Sequence, residues 1–313
     1  MNSWFNYLAW KANHYRHRHK IRVPIDRLDS HMGRKVTSTH VESLVIPVVG
    51  ADYVDEGTLA AVFADRFYPE LKEIVVVTDR PALEFRGLPE KAVVRTVQVN
   101  DFVPKHHAYT GIFRSRLIKL IAPLQAHHER ILMIDSDLMI LQTLTIPFAD
   151  QCLFGCFRRG KMISKVNKAG ETKPSELLGT YRPYLWEHLN GAFLAATLST
   201  WTRLSPAWIA TYIGIWSKLA DNQPPTEQLP LCCALDYLDL STVDLGDWVN
   251  WPVSKKIGGI SATVPSEVIG AHGGFPLSEW QRYLNDKGSV MNFIAPEQTR
   301  KLRYLTDVEK GGA

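Results

Sequence analysis

Residues 130–137 read Arg-Ile-Leu-Met-Ile-Asp-Ser-Asp, and this stretch decides the fold. Its apolar run is typical of a strand buried on both faces of a parallel sheet. The run ends directly in two carboxylates, Asp135 and Asp137, and a second apolar run follows at residues 138–141. Ligand sites in open α/β sheets lie beyond the carboxyl ends of the strands. The stretch therefore predicts a sheet edge that carries a binding site.

The residues before this stretch alternate between strand and helix patterns. Strands are predicted at residues 41–49, 74–77 and 93–99, where apolar and β-branched residues dominate. Helices are predicted at 55–68 and 110–124, where apolar residues recur at helical spacing. Strand–helix alternation with short connections predicts a mostly parallel α/β sheet covered on both faces.

The second half of the chain is less regular. A polar, Lys-rich segment at 158–176 has the composition of a mobile loop. A helix is predicted at 205–220, beginning after Ser205-Pro206, and another at 229–238. Short strands and loops are expected from residue 242 onward. We predict three parts: a basic N-terminal extension (1–40), one main domain (41–285) and a C-terminal tail (286–313).

Composition excludes several classes of protein. The 313 residues are 45% hydrophobic with a net charge of +4, which fits an anionic substrate but is too weak to indicate a nucleic-acid partner. The four cysteines lack zinc spacing, so free thiols in a reducing compartment are expected. An N-terminal aromatic cluster (Trp4, Phe5, Tyr7, Leu8 and Trp10) is followed by basic residues, an order unlike that of a signal peptide. We predict a cytoplasmic protein, in which that cluster packs on its own domain or contacts a membrane surface peripherally.

The two aspartates suggest a metal site. Residues two apart in an extended backbone project to the same side. Paired carboxylates there repel each other and are costly to bury unless they share a cation. Hard oxygen ligands suit Mg²⁺ or Mn²⁺, which would bridge a diphosphate. The alternative is a solvated turn after a strand, but such turns rarely stand between two buried apolar runs.

Four segments follow one another along the chain: the basic helix at 114–119, the strand and aspartates at 130–137, Leu-Asn-Gly-Ala-Phe-Leu at 189–194, and Glu-Gln-Leu-Pro-Leu at 227–231 with a later His-Gly-Gly at 272–274. In this order they resemble glycosyltransferase family 8, the group of glycogenin and the bacterial galactosyltransferases. The resemblance spans about residues 42–280. It implies the GT-A (nucleotide-diphospho-sugar transferase) fold, a single Rossmann-like, mostly parallel sheet flanked by helices.

The resemblance also implies an activity, that of a retaining, metal-dependent hexosyltransferase. The donor would be a nucleotide sugar, expected to be a UDP-sugar, and the acceptor an unidentified glycan, lipid or protein. The metal, Mn²⁺ or Mg²⁺, would be held by Asp135, Asp137 and His272. The donor would be held by Asp79, Arg116, Lys119 and Ser136, and the catalytic residues would be Asn190, Glu227 and Gln228.

Each of these assignments has a plainer alternative. Lys119 and Arg116 also fit as solvated helix charges. Asp79 fits as a turn residue before Arg80-Pro81. Asn190 fits as a turn residue before Gly191, Gln228 as a polar residue at a helix start, and His272 as a loop histidine.

Departures from the family pattern leave other functions open. Glu227 stands where Asp is usual, Asn190 lacks the usual following Ser, and the loop after His272 lacks the usual Lys. One alternative is a nucleotidyltransferase acting on a sugar phosphate, but the segment after the first strand has one glycine, Gly50, and no nearby lysine. The other is a catalytically degenerate protein that binds nucleotide sugars.

Overall fold

The computed structural model describes residues 22–24, 40–98, 111–159, 187–216, 227–252, 268–273 and 277–285. Its central feature is an eight-stranded sheet of β1 (Arg22–Pro24), β2 (Ser43–Val48), β3 (Glu73–Thr78), β4 (Ala92–Thr96), β5 (Arg130–Ile134), β7 (Cys152–Arg159), β8 (Glu187–Thr197) and β9 (Ser241–Asp244). The spatial order is β1-β9-β7-β8-β5-β2-β3-β4. Among the described strands of this sheet, β8 alone runs antiparallel to its neighbours, so the prediction of a mostly parallel sheet is confirmed.

Five described helices flank this sheet: α1 (Val54–Phe67), α2 (Gly111–Ile121), α3 (Leu198–Trp216), α4 (Gln228–Tyr237) and α5 (Leu277–Asn285). Alternate residues of one strand point to opposite faces. In β2, Leu44 and Ile46 pack in the core that contains residues of α1 and α5, whereas Val45 packs in the core that contains residues of α2, α3 and α4. Burial on both faces explains why β2 and β3 are almost continuously apolar.

Helix α3 begins seven residues earlier than the prediction from Ser205-Pro206. It starts at Leu198 and contains Pro206 in its interior. The hydroxyl of Thr197 accepts a hydrogen bond from the backbone N–H of Thr200 at 3.3 Å, as at a helix N-cap. The helix buries a stripe at helical spacing that begins before the proline: Trp201, Leu204, Trp208, Tyr212 and Ile215. Packing of this stripe outweighs the local preference of proline for a first turn.

A second, three-stranded sheet consists of β6 (Leu138–Ile140), β10 (Trp251–Pro252) and β11 (Gly270–His272). Strand β6 follows the two aspartates and pairs antiparallel with β11, in a register that sets His272 opposite Leu138. Asp137 directly precedes Leu138, so this pairing places His272 close to Asp137 in space, although the two are far apart in sequence.

The proposed domain boundaries stay predictions. Strand β1 lies within the predicted N-terminal extension, and it pairs with β9 at the edge of the large sheet. The N-terminal aromatic cluster, most of the Lys-rich loop, the end of the predicted 205–220 helix and the C-terminal tail lie outside the described residues. Among the described helices, none combines the length and apolar character that spanning a bilayer requires.

Candidate active site

The two aspartates lie at the carboxyl end of β5, where the chain turns into β6. The backbone N–H of Asp135 donates to the carbonyl of Ala192 on β8 at 2.9 Å. The N–H of Leu138 donates to the carbonyl of Asp135 at 3.1 Å and closes the turn. Backbone hydrogen bonds from two sheets thus hold the segment between Asp135 and Asp137.

His272 reaches this turn from β11. Its Nε2 lies 3.2 Å from Oδ1 of Asp137. The N–H of Gly273 donates to the carbonyl of Asp137 at 2.8 Å, with Gly273 at φ +74°, a conformation that favours glycine. Asp135, Asp137 and His272, which the resemblance groups as metal ligands, therefore lie together in the structure.

The cluster fits a divalent cation. One ligand atom from each of Asp135, Asp137 and His272 lies within 4.8 Å of the other two. Ligand oxygens lie about 2.1 Å from a Mg²⁺ ion, so two of them are at most about 4.2 Å apart. Side-chain shifts of less than an ångström would bring the three atoms into that range. Two carboxylates and an imidazole are a donor set that suits Mn²⁺ as well.

A cavity of about 680 Å³ opens beside the cluster. Its size is within the range of small-molecule sites. Among the described residues that line it, four carry carboxylates and two carry cationic side chains, so the cavity favours binding of a further cation. The lining residues are Pro47, Val49, Gly50, Tyr53, Asp79, Ser115, Arg116, Lys119, Asp135, Ser136, Asp137 and Glu227.

Asp79 and Gly50 bring the ends of β3 and β2 together at the cavity. The Asp79 carboxylate accepts a hydrogen bond from the backbone N–H of Gly50 at 3.1 Å. Gly50 has φ +87°, so the chain turns sharply after β2 and leads into Tyr53, whose side chain is half exposed at the cavity. Asp79 thus serves as a turn residue and also lines the cavity.

Lys119 lies at the centre of a buried network of charged groups. Its Nζ is 2.5 Å from Oδ1 of Asp135 and 3.4 Å from Oε1 of Glu227. Arg116 approaches the other carboxylate oxygen of Glu227, with Nε 3.6 Å from Oε2. Burial alone would lower the pKa of Lys119, but the carboxylates of Asp135 and Glu227 raise it to about 12. Lys119 is therefore a permanent cation in the cavity wall.

The carboxylates respond differently to this environment. Burial raises the pKa of Asp135, and the ammonium of Lys119 offsets this only in part. Burial would also raise the pKa of Glu227, but Lys119 and Arg116 bring it below its usual value. For Asp137, burial is outweighed by the hydrogen bond to His272, and its pKa is lowered. Glu227 is thus a stably ionised group that two cations hold in place.

Asn190 and Gln228 stand apart from the cavity wall. Asn190 is buried in β8, and its side-chain oxygen accepts a hydrogen bond from the N–H of Ala192 at 2.8 Å. Gln228 is the first residue of α4, beside Glu227, and its buried Oε1 has no hydrogen-bond partner among the described residues. Neither residue lines the cavity. Their catalytic roles stay predictions, and only Glu227 of the three predicted catalytic residues faces the cavity.

Sequence patterns missed three features of the site. Asn250 contacts His272, with Oδ1 of Asn250 2.8 Å from Nδ1 of the ring. Tyr53 and Ser115 line the cavity. Gly191 lets Lys119 and Glu227 approach each other, because a Cβ there would be 3.1 Å from Nζ and 3.2 Å from Oε1. The position of Tyr53 just after the predicted strand at 41–49 could have indicated that it lies at the carboxyl edge of the sheet. No local sequence pattern marks Asn250.

Comparison with solved structures supports the fold. The chain is similar to the galactosyltransferase LgtC in complex with donor and acceptor sugar analogues, with 14% identity and a TM-score of 0.51 over 83% of this chain and 99% of LgtC. An LgtC active-site mutant with a Gln-to-Glu substitution has 13% identity and a TM-score of 0.50, over 82% and 98%. The bifunctional glycosyltransferase WbbM has 11% identity and a TM-score of 0.51, over 77% of this chain and 47% of WbbM.

These similarities confirm the prediction of a GT-A fold. The sequence matches no protein-family model and no curated protein. Membership of glycosyltransferase family 8 therefore stays a prediction, and the function has to be argued from the site.

Proposed function

We propose that this chain is a glycosyltransferase that moves a hexose from a UDP-sugar to a glycan, lipid or protein acceptor, with retention of anomeric configuration. The strongest support is the cluster of Asp135, Asp137 and His272, whose two aspartates line a cavity of about 680 Å³. The cavity lies beyond the carboxyl ends of β2, β3 and β5, where open α/β sheets bind ligands.

Asp135, Asp137 and His272 would hold Mn²⁺ or Mg²⁺ in the proposed function. When bound, the ion would neutralise diphosphate oxygens and stabilise the departing nucleotide. The protein contributes a prebuilt turn, since the backbone groups of Asp135 and Asp137 are already hydrogen-bonded to Ala192, Leu138 and Gly273. Little ordering of this backbone is therefore required on binding.

The nucleoside would lie at the end of the cavity formed by β2 and β3. Tyr53 is 51% exposed, and its ring offers a face for stacking on a base. Asp79 carries an acceptor carboxylate that suits the N–H of a uracil. A hydrogen-bond acceptor and an aromatic face together are a common way to hold a flat, polar ring.

The sugar and phosphates would lie near Lys119, Arg116 and Glu227. The ammonium of Lys119 stays charged and would contact a phosphate or a sugar hydroxyl. Glu227 is held by two cations and has a lowered pKa, so it is a weak proton acceptor. It fits a group that orients the sugar. We therefore infer front-face displacement in which the departing phosphate accepts the proton of the acceptor hydroxyl.

Release of UDP from a panel of UDP-sugars, measured with and without Mn²⁺, tests this proposal. The wild type should release UDP only with the metal, and Asp137→Ala should release none. Asp150→Ala is a matched control, because Asp150 is an exposed aspartate that binds Ser199 at the opposite end of the sheet. Equal release by the wild type and Asp137→Ala would refute the proposal.

The same screen separates the alternatives. Binding of UDP and Mn²⁺ by calorimetry without any UDP release would indicate a nucleotide-sugar-binding protein. Formation of pyrophosphate from UTP and a sugar phosphate would indicate a nucleotidyltransferase.

A further inference from the structure

We propose that Asn250 is a positioning residue that fixes the tautomer and the ring orientation of His272. This inference rests on the proposed function only where it concerns the metal. The claim about the ring itself concerns the protein alone and can be tested without any ligand.

The position of Asn250 is tightly constrained. It follows a single 3₁₀ turn, Asp247–Val249, and its backbone N–H donates to the carbonyl of Asp247 at 3.1 Å. It directly precedes β10, which pairs with β11 in a register that sets Trp251 opposite Ala271. The side chain is only 1% exposed. The residue therefore has little freedom to turn away from His272.

Gly270 allows the close approach of this turn to β11. A Cβ at residue 270 would lie 2.3 Å from the carbonyl oxygen of Val249, which no side chain tolerates. The absence of a side chain at Gly270 thus permits the contact between the turn and the strand that ends in His272. The geometry brings an amide oxygen to one ring nitrogen of His272 and leaves the other toward Asp137.

The chemistry of the contact assigns the ring proton. An amide oxygen only accepts hydrogen bonds, so the Nδ1–H of His272 donates to Oδ1 of Asn250 across 2.8 Å. The proton stays on Nδ1 whether the ring is neutral or charged. The other ring nitrogen, Nε2, lies 3.2 Å from Oδ1 of Asp137. When Nε2 carries a proton it donates to that carboxylate, and when it gives the proton up its lone pair can bind a metal. The Nδ1–H form that results presents a ligand nitrogen to the two aspartates.

The alternative is that Asn250 only stabilises its turn. Its two neighbours, Val249 and Trp251, are buried core residues, and a buried amide costs free energy unless it is hydrogen-bonded. A role in the turn alone would be fulfilled by the backbone N–H, which is present in any variant except proline. The hydrogen bond to Nδ1 is what the side chain adds, so side-chain variants separate the two roles.

Mn²⁺ affinity, measured from the electron paramagnetic resonance of free Mn²⁺ with and without UDP, is the first test. Asn250→Ala should weaken binding about 10- to 100-fold, the usual effect of removing a partner of a ligand histidine. Asn250→Asp retains the acceptor and should bind at least as tightly as the wild type. Ser43→Ala, which removes a buried hydrogen bond to Glu73 at the other end of the sheet, should bind as the wild type does.

Nitrogen-15 spectra of the histidine rings in the metal-free protein are the second test, with His272→Ala to identify the signal. The wild type and Asn250→Asp should show a proton on Nδ1 of His272, and Asn250→Ala, where folded, should lose this preference because, among the described residues, only Nε2, beside Asp137, then has an acceptor. An Nε2–H tautomer in the wild type would overturn the proposal, as would equal Mn²⁺ affinity in Asn250→Ala or a loss in Asn250→Asp as large as in Asn250→Ala. A wild type that binds no Mn²⁺ would refute the metal part of the proposed function, and the ring spectra would still decide the role of Asn250.

Discussion

Carboxylates lie at both ends of the parallel strands, but the groups that surround them differ between the two ends. At the amino ends, Glu42 and Glu73 are surrounded by donors from the protein. Oε1 of Glu42 lies 2.6 Å from Nζ of Lys72 and 2.9 Å from Nη2 of Arg130. Glu73 accepts hydrogen bonds from the Ser43 hydroxyl at 2.6 Å and from the backbone N–H of His127 at 2.7 Å.

At the carboxyl ends, carboxylates outnumber cations around an open cavity. Asp135, Asp137, Asp79 and Glu227 share the cavity with only Lys119 and Arg116 among its lining residues. The amino end is a closed network that stabilises the fold, whereas the carboxyl end is left with unbalanced negative charge. Excess negative charge beside a cavity, more than burial of charge itself, distinguishes the candidate site from the amino end of the sheet.

Removing a carboxylate from the cavity end should have the largest effect on activity. We expect Asp137→Ala to lower UDP release at least about a thousandfold, since a lost metal ligand removes several kcal/mol of transition-state stabilisation. Its free energy of unfolding should change little, because the hydrogen bond to His272 is lost while repulsion with Asp135 is relieved. Steady-state kinetics and urea unfolding measure both. If Asp137→Ala lost stability but kept its activity, the carboxyl end would not differ from the amino end in the way described.

Removing the central cation should have the next largest effect. Lys119→Met takes away a charge that lies beside both Asp135 and Glu227. We expect the KM for the donor to rise about 10- to 100-fold, because charged hydrogen bonds contribute roughly 1.5–3 kcal/mol. Lys72→Met, at the amino end, is the control and should leave this KM as it is. A similar KM in both variants would show that Lys119 does not contact the donor.

A substitution in the closed network at the amino end should change the stability of the protein but not its activity. We expect Glu42→Gln to lower the free energy of unfolding by about 1–3 kcal/mol, because Arg130 and Lys72 lose their partner. UDP release should stay within about twofold of the wild type, since the residue lies at the other end of the sheet. Urea unfolding at pH 7 checks the first part. An unchanged stability would show that the network is only a solvated group of charges.

The smallest effect concerns pH. Burial would raise the pKa of Glu42, but the hydrogen bond with Lys72 and the charge of Arg130 lower it below its usual value. A lowered folded-state pKa stabilises the fold above the pKa of the unfolded state, and this stabilisation is lost as pH falls through the folded-state pKa. The stability difference between the wild type and Glu42→Gln should therefore be constant at pH 6–8 and shrink below about pH 4. A constant difference down to pH 3 would contradict this.

Most of the fold could be predicted because its signals are local. The apolar strands and amphipathic helices before Asp135 were predicted within a few residues, since burial on two faces or one leaves a periodic pattern. The start of α3 was wrong because Ser205-Pro206 is a strong local signal, whereas the buried stripe that begins at Trp201 depends on packing.

The site was predictable only in part. Asp135 and Asp137 were placed by the strand before them, and His272 by resemblance alone. The contact between His272 and Asn250 depends on the register of β10 with β11, which no local pattern specifies. Asn190 and Gln228 were placed by resemblance, but the oxygen of Asn190 is bonded to Ala192 and neither residue lines the cavity.

The pairing of β6 with β11 has a consequence for the order in which this protein matures. Asp137 is synthesised long before His272, and their contact needs the last strand of the small sheet. A chain emerging from the ribosome can pair β2, β3 and β5 while Asp135 and Asp137 still lack the imidazole. Because amino-terminal parts fold first during synthesis, the cluster is completed only after β11 has been synthesised and paired with β6. Its formation therefore depends on a late folding step that the large sheet does not require.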